Sequence, residues 1–178
     1  ESNRLIKLVN SLLDLSKMEA GMLKYQFEPA ELSELVKTSL DSLAPLAAAK
    51  NITIHNNVYT SLLVRVDQVR MLQVLRNIIG NAIKFTHEKG TITIEGNVRG
   101  DRVEVRVQDN GIGIAPEDIE RIFLKFQQVT PAKGESIKGT GFGLATVRQI
   151  ILAHGGKVWA TSQLGQGSTF YISLQSAA

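Results

Sequence analysis

The sequence contains no cysteine. That absence excludes disulfide bonds and thiolate-held metals, and it fits a reducing compartment. No apolar run approaches the roughly 20 residues that a bilayer-spanning helix needs. The first residues also lack the basic stretch followed by an apolar core that marks a signal peptide. The segment is read as not membrane-inserted and cytoplasmic, whether or not a parent protein is anchored elsewhere. Nor is there a strong excess of one charge: 20 Lys and Arg stand against 17 Asp and Glu, a net charge of +3. The basic residues are spread along the chain, so no nucleic-acid partner is expected. Internal repeats, low-complexity tracts and an initiating methionine are missing as well, and the sequence is read as a piece of a longer protein.

What is present is the composition of one globular domain with a short appendage: 178 residues, 43% hydrophobic and 21% charged, close to the averages for soluble folds. Near the start, Leu5, Leu8, Leu12 and Leu15 recur at spacings of three, four and three, and Ile6, Val9 and Leu13 widen the stripe. This is the pattern of a bundle helix, stopped at Gly21. So short a helix cannot bury its stripe alone and should seek a partner helix; folding back on its own domain is the alternative. An extended piece at Tyr25 to Glu28 leads to a second amphipathic helix read from Pro29 and the run Leu32, Leu35, Val36, Ser39, Leu40 and Leu43, fading near Asn51. Strands are expected at residues 51–58 and 62–66, then a long helix from the N-cap Asp67 to Thr86. Two strands, 91–98 and 102–108, join across Arg99-Gly100-Asp101. A glycine-rich, aperiodic stretch runs from Asp109 to Phe142. A helix at 144–153 and strands at 157–161 and 168–174 close the chain. The expected fold is α+β, a two-layer α/β sandwich whose mixed sheet carries its helices on one face and leaves the other partly wet.

Three places carry chemistry. Asn77, Asn81 and Lys84 share one side of the long helix. An amide oxygen suits Mg²⁺ and an ammonium offsets phosphate charge, although three polar residues alone would equally fit a solvated face. Asp109-Asn110-Gly111-Ile112-Gly113 follows a strand; a dry, ionised Asp suits an exocyclic amino group such as that of adenine, whereas a turn aspartate is the plain alternative. Gly139-Thr140-Gly141-Phe142-Gly143 leads into the helix starting near Leu144, where free N–H groups and the helix dipole attract phosphate. Its plain alternative is a hinge. The loop is neither a Walker A loop nor a dinucleotide fingerprint.

Together and in this order, these segments resemble the sensor histidine kinases. Residues Asn77 to Thr86 look like their N box, Asp109 to Gly113 their first glycine box and Phe123 to Phe126 their F box. Gly139 to Gly143 look like the second glycine box, and Gly165 to Phe170 the closing glycine turn. The resemblance implies the Bergerat fold, with ATP held between the N-box helix and a mobile lid from about Ile114 to Lys138. It implies that Asn81 ligates Mg²⁺, that Asn77 and Lys84 support metal and phosphates, and that Asp109 binds the adenine amino group. Gly111, Gly113, Phe126, Gly139, Gly141, Gly143 and Leu144 would shape the nucleotide site, and Thr169 would help the base side through water. Residues 1–23 resemble the end of the second dimerisation helix, 24–29 a linker and 30–176 the catalytic domain. The implied partners are a dimerisation domain bearing the acceptor histidine, a response regulator receiver domain, and a second copy of the parent protein.

Two features depart from the pattern. Gln127-Gln128 stands where many relatives have an aromatic-Arg pair, with Lys125, Lys133 and Lys138 as candidate substitutes for the missing cation. None of His55, His87 and His154 sits in an S-H-E-type box, so each is read as structural or surface. Two other readings stay open: an ATP-hydrolysing relative on the same fold, and a nucleotide-binding module without transfer. The hydrolases place a Glu one turn before the metal-binding Asn, where this chain has Asn77.

Overall fold

The computed structural model describes residues 2–59, 61–128 and 139–178. Helix α1 spans Ser2–Glu19. Its end is a Schellman turn: Gly21 is left-handed at φ +67°, its N–H donates to the Met18 carbonyl at 3.1 Å, and the Met22 N–H to that of Lys17 at 2.9 Å. Glycine accepts this conformation without a Cβ clash, as the sequence predicted.

Strand β1 (Glu28–Glu31) pairs antiparallel with β3 (Leu63–Val66), flanking helix α2 (Leu32–Ala49) and strand β2 (Thr53–Asn57). Helix α3 (Gln68–Phe85) is capped by Asp67, whose side chain accepts the Arg70 N–H. Strands β4 (Thr91–Arg99) and β5 (Arg102–Asp109) form a hairpin. Two 3₁₀ turns, Pro116–Asp118 and Arg121–Phe123, precede helix α4 (Gly143–Ala153). Strands β6 (Lys157–Gln163) and β7 (Gly167–Gln175) follow.

The main sheet has five strands in the order β2-β4-β5-β7-β6, mixed because β2 runs parallel to β4 and the other pairs are antiparallel. Strand alternation sends Ile92, Ile94, Val103, Val105, Val107, Phe170, Ile172 and Leu174 to one buried face. There they meet the apolar stripes of α2, α3 and α4 in one core. The opposite face carries the Trp159–Tyr171 stack and the Arg106–Glu95 ion pair. The two-layer sandwich with one wet face is as expected.

Two points differ from expectation. The strands expected at 51–58 and 62–66 do not share a sheet; β3 pairs with β1 in a separate two-stranded ribbon. Helix α1 divides its stripe. Leu15 is buried with Phe142 and Ala145 and Met18 joins the main core, while Leu5, Ile6, Val9, Leu12 and Leu13 are exposed.

Candidate functional site

Helix α3, the end of β5 and the start of α4 enclose a cavity of about 180 Å³. Asn77, Asn81 and Lys84 all line it. They interrupt the buried run Ile78, Ile79, Ala82 and Ile83, so helical spacing turns this polar stripe away from the core. Lys84 is half-buried, and that desolvation lowers its pKa. Among the described residues no carboxylate pairs with it. An ammonium in this setting calls for an anion.

At the far end stands Asp109, the last residue of β5, 6% exposed. Its Oδ1 accepts the Gly111 N–H at 2.9 Å and the Ser168 N–H at 3.3 Å. Burial raises its pKa, and the two N–H groups oppose the rise. Among the described residues Oδ2 has no hydrogen-bond partner and is left for a ligand. The turn that follows needs its glycines: a Cβ on Gly111 would lie 2.2 Å from the Phe85 carbonyl oxygen, and one on Gly113, at φ +73°, 2.1 Å from that of Gln163. The first glycine box is therefore clamped between the end of α3 and the β6–β7 turn. Ile112, Ile114, Ile122 and Phe170 supply apolar lining.

The second glycine segment crosses the opposite end. A Cβ on Gly139 would lie 2.9 Å from Lys84 Nζ, and one on Gly143 3.4 Å from Asn77 Oδ1. The loop thus passes directly over the polar stripe. Helix α4 starts at Gly143 with no side-chain cap, and its first intrahelical N–H is that of Thr146, bonded to the Phe142 carbonyl. The Gly143, Leu144 and Ala145 amides before it have no partner inside the helix, the general condition of a helix N-terminus that suits phosphate oxygens.

Of the residues singled out in the sequence, Gly113, Gly139, Gly141, Gly143 and Leu144 line the cavity; Gly111, Phe126 and Thr169 do not. Gly111 serves by close packing. Phe126 is 68% exposed and braces the loop from outside, its N–H donating to the Gly141 carbonyl at 3.0 Å and its ring resting 4.8 Å from that of Phe142. Thr169 belongs to the alternation that faces the wet side of β7, while Ser168 shares the inward parity of Phe170 and Ile172 and lines the cavity. Ser168 was missed in the sequence, although its parity with the buried residues was a legible signal.

Of the candidate cations, Lys125 pairs with Glu19 of α1 at 2.7 Å, and Lys133 and Lys138 lie outside the described residues, as does the part 129–138 of the lid expected from about Ile114 to Lys138. Gln128 donates to the Gly139 carbonyl at 2.8 Å, so it holds the loop rather than supplying charge. His55 and His87 are exposed. His154 is buried: its Nδ1–H donates to the Ile150 carbonyl at 2.7 Å, because a carbonyl only accepts, and its Nε2 accepts the Asp67 N–H at 3.0 Å. All three readings as structural or surface residues fit.

Residues 66–178 match the family described as histidine kinase-, DNA gyrase B-, and HSP90-like ATPase. Over 171 residues, 94% of the chain, the sequence is 37% identical to the circadian input-output histidine kinase CikA of Synechococcus elongatus, covering 23% of that protein. It is 35% identical over 176 residues to the sensor histidine kinase WalK of Bacillus subtilis, covering 98% of the chain and 29% of that protein. The chain thus spans between 23% and 29% of these relatives' lengths. Among solved structures, full-length ShkA in complex with AMPPNP superposes with a TM-score of 0.86 at 32% identity, over 98% of this chain and 37% of that one. The histidine kinase ThkA, in complex with the response regulator protein TrrA, gives a TM-score of 0.78 at 27% identity, over 98% and 48%.

Proposed function

Because the chain belongs to the histidine kinase-, DNA gyrase B-, and HSP90-like ATPase family, and is the catalytic ATP-binding domain of the sensor histidine kinase kind, we propose that this cavity holds Mg-ATP and delivers its γ-phosphate to a histidine on a dimerisation helix. One observation carries the assignment: a half-buried Lys84 that no carboxylate pairs among the described residues, and the uncapped start of α4, at one end of a cavity whose other end is a buried carboxylate. A ligand that satisfies both ends has a phosphate tail and an amino-bearing base. ShkA, similar over nearly the whole chain, was solved with AMPPNP.

The donor set fits a magnesium ion. Among the described residues no three His, Cys, Asp or Glu side chains converge anywhere, so a cation here would depend on amide and phosphate oxygens, which suits Mg²⁺. Asn81 would supply the protein ligand, and Asn77, beside Gly143, would steady the phosphates. When bound, the ion neutralises charge on the transferring group and orients it. The chain's own part is positioning: Asp109 orders the base, Lys84 and the α4 amides fix the tail, and the γ-phosphate is left toward the mouth for an imidazole in line.

Hydrolysis as the main activity is disfavoured, because the Asn77 amide cannot take a proton from water. The acceptor-bearing dimerisation domain, a response regulator and a second copy of the parent remain proposed partners; the ThkA–TrrA complex supports the second. Among the described residues no helix is long and apolar enough to cross a membrane, and a cytoplasmic location is proposed. So is the division at residues 23 and 29, which leaves the catalytic domain at 30–176. Titration calorimetry tests the nucleotide reading: ATP should bind at least tenfold more tightly than GTP, and Asn81→Ala should remove the gain from magnesium. Equal affinity for ATP and GTP would defeat it.

A further inference from the structure

Three hydrogen bonds meet at Ser162, a β6 residue that does not itself line the cavity. Its Oγ accepts the Ile114 N–H at 2.7 Å, donates to the Gly167 carbonyl at 2.8 Å and lies 2.8 Å from Ser168 Oγ. A serine has one hydroxyl hydrogen, and a carbonyl can only accept. With the Ser162 hydrogen committed to Gly167, the third contact is satisfied only if Ser168 donates its own hydrogen to Ser162. Ser168 Oγ is then left with lone pairs alone, beside the acceptor Asp109.

We infer that Ser162 is a positioning residue for base recognition: by holding the Ser168 hydrogen, it makes this end of the cavity an acceptor-only surface that admits an amino group and rejects a ring carbonyl. The inference rests on the nucleotide reading above and goes beyond it. Asp109 alone repels a carbonyl by charge. Ser168, freed, would rotate and donate to that carbonyl, so discrimination depends on a residue that touches neither ligand nor metal.

The probes are ADP and inosine diphosphate, which present an amino group and a carbonyl at the same ring position. Calorimetry on the unaltered chain gives the affinity ratio. Ser162→Ala should narrow the preference for ADP by about fivefold or more, the scale of one hydrogen bond, and Ser162→Thr, which keeps the hydroxyl, should restore it. A purely structural role would weaken both ligands alike, and an unchanged ratio in Ser162→Ala overturns the inference. Because Ser162 acts through Ser168, adding Ser162→Ala to Ser168→Ala should leave the ratio where Ser168→Ala alone put it; further narrowing would also overturn it. Failure of the unaltered chain to bind ADP would overturn the nucleotide reading and this inference with it, whereas ADP binding with an unchanged variant ratio defeats this inference alone.

Discussion

Asp109 carries a cost where it stands. Burial raises its pKa above the ordinary 3.8, so in the interval above 3.8 the folded chain binds more protons than the unfolded one. Stability contributed by this group therefore falls as pH rises from 3.8 through the raised folded pKa. Asparagine at this position would keep an oxygen for the Gly111 and Ser168 N–H groups while removing the charge. Asp109→Asn is expected to hold or raise the melting temperature without nucleotide, yet weaken ATP binding by tenfold or more. Thermal melts and calorimetry together check this, and a variant that loses stability as well as affinity would contradict it. The same scale shows what the sequence left hidden. Asp109, Asn81 and Lys84, which the structure brings to one cavity, could be singled out in the sequence because their residue types suit the chemistry proposed for them. Ser168 was overlooked for Thr169, since both hydroxyls suit the role and only the pleat of β7 separates them.

Among the elements, α1 and the linker show where a boundary drawn on sequence meets tertiary packing. Leu15 is 1% exposed, packed with Phe142 and Ala145, and Glu19 holds Lys125, so the end of α1 braces the F box and the second glycine loop. Leu15→Ala is expected to destabilise the chain by about 3 kcal/mol and to weaken ATP binding as well, because Phe142 leads into the α4 amides proposed to hold phosphate. Chemical denaturation with calorimetry would show both, and lost stability at full affinity would separate α1 from the site. The linker is anchored too. Tyr25 and Phe27 pack edge-on against His154, and the Gln26 N–H donates to Asp67 at 3.0 Å. Burial lowers the His154 pKa, against the opposing pull of the Ile150 carbonyl and the Asp67 carboxylate. The unfolded chain, with its histidine near 6.5, binds the extra proton first, so stability should fall as pH drops below about 6.5. That loss should shrink in His154→Gln, measured against the unaltered chain from pH 7.5 to 5; an unchanged slope would place the pH dependence elsewhere. No periodicity in residues 24–29 announced this anchoring, because it is made by contacts across the fold.

At the scale of the molecule, the order of helices and strands was readable because α3, β4, β5 and β7 carry long, regular apolar periods. The pairing of β1 with β3 was not. Each has only four residues, too few for alternation to declare a partner, and register is decided by the surface each strand meets. The site was legible for a related reason: its glycines and polar stripe sit at fixed offsets on elements that the core holds rigid. The same packing bears on the proposed transfer: His154 is locked by two hydrogen bonds, and among the described residues none of the three histidines lines the cavity, so the acceptor proposed for the phosphate is one on another domain. The decisive measurement supplies γ-labelled ATP and magnesium to this chain, alone and with a separate dimerisation domain carrying an acceptor histidine. The account predicts an acid-labile, base-stable label on the added domain, none on this chain, and loss of transfer in Asn81→Ala. Label on the chain by itself, or ATP binding with no label on any histidine-bearing partner, would contradict it.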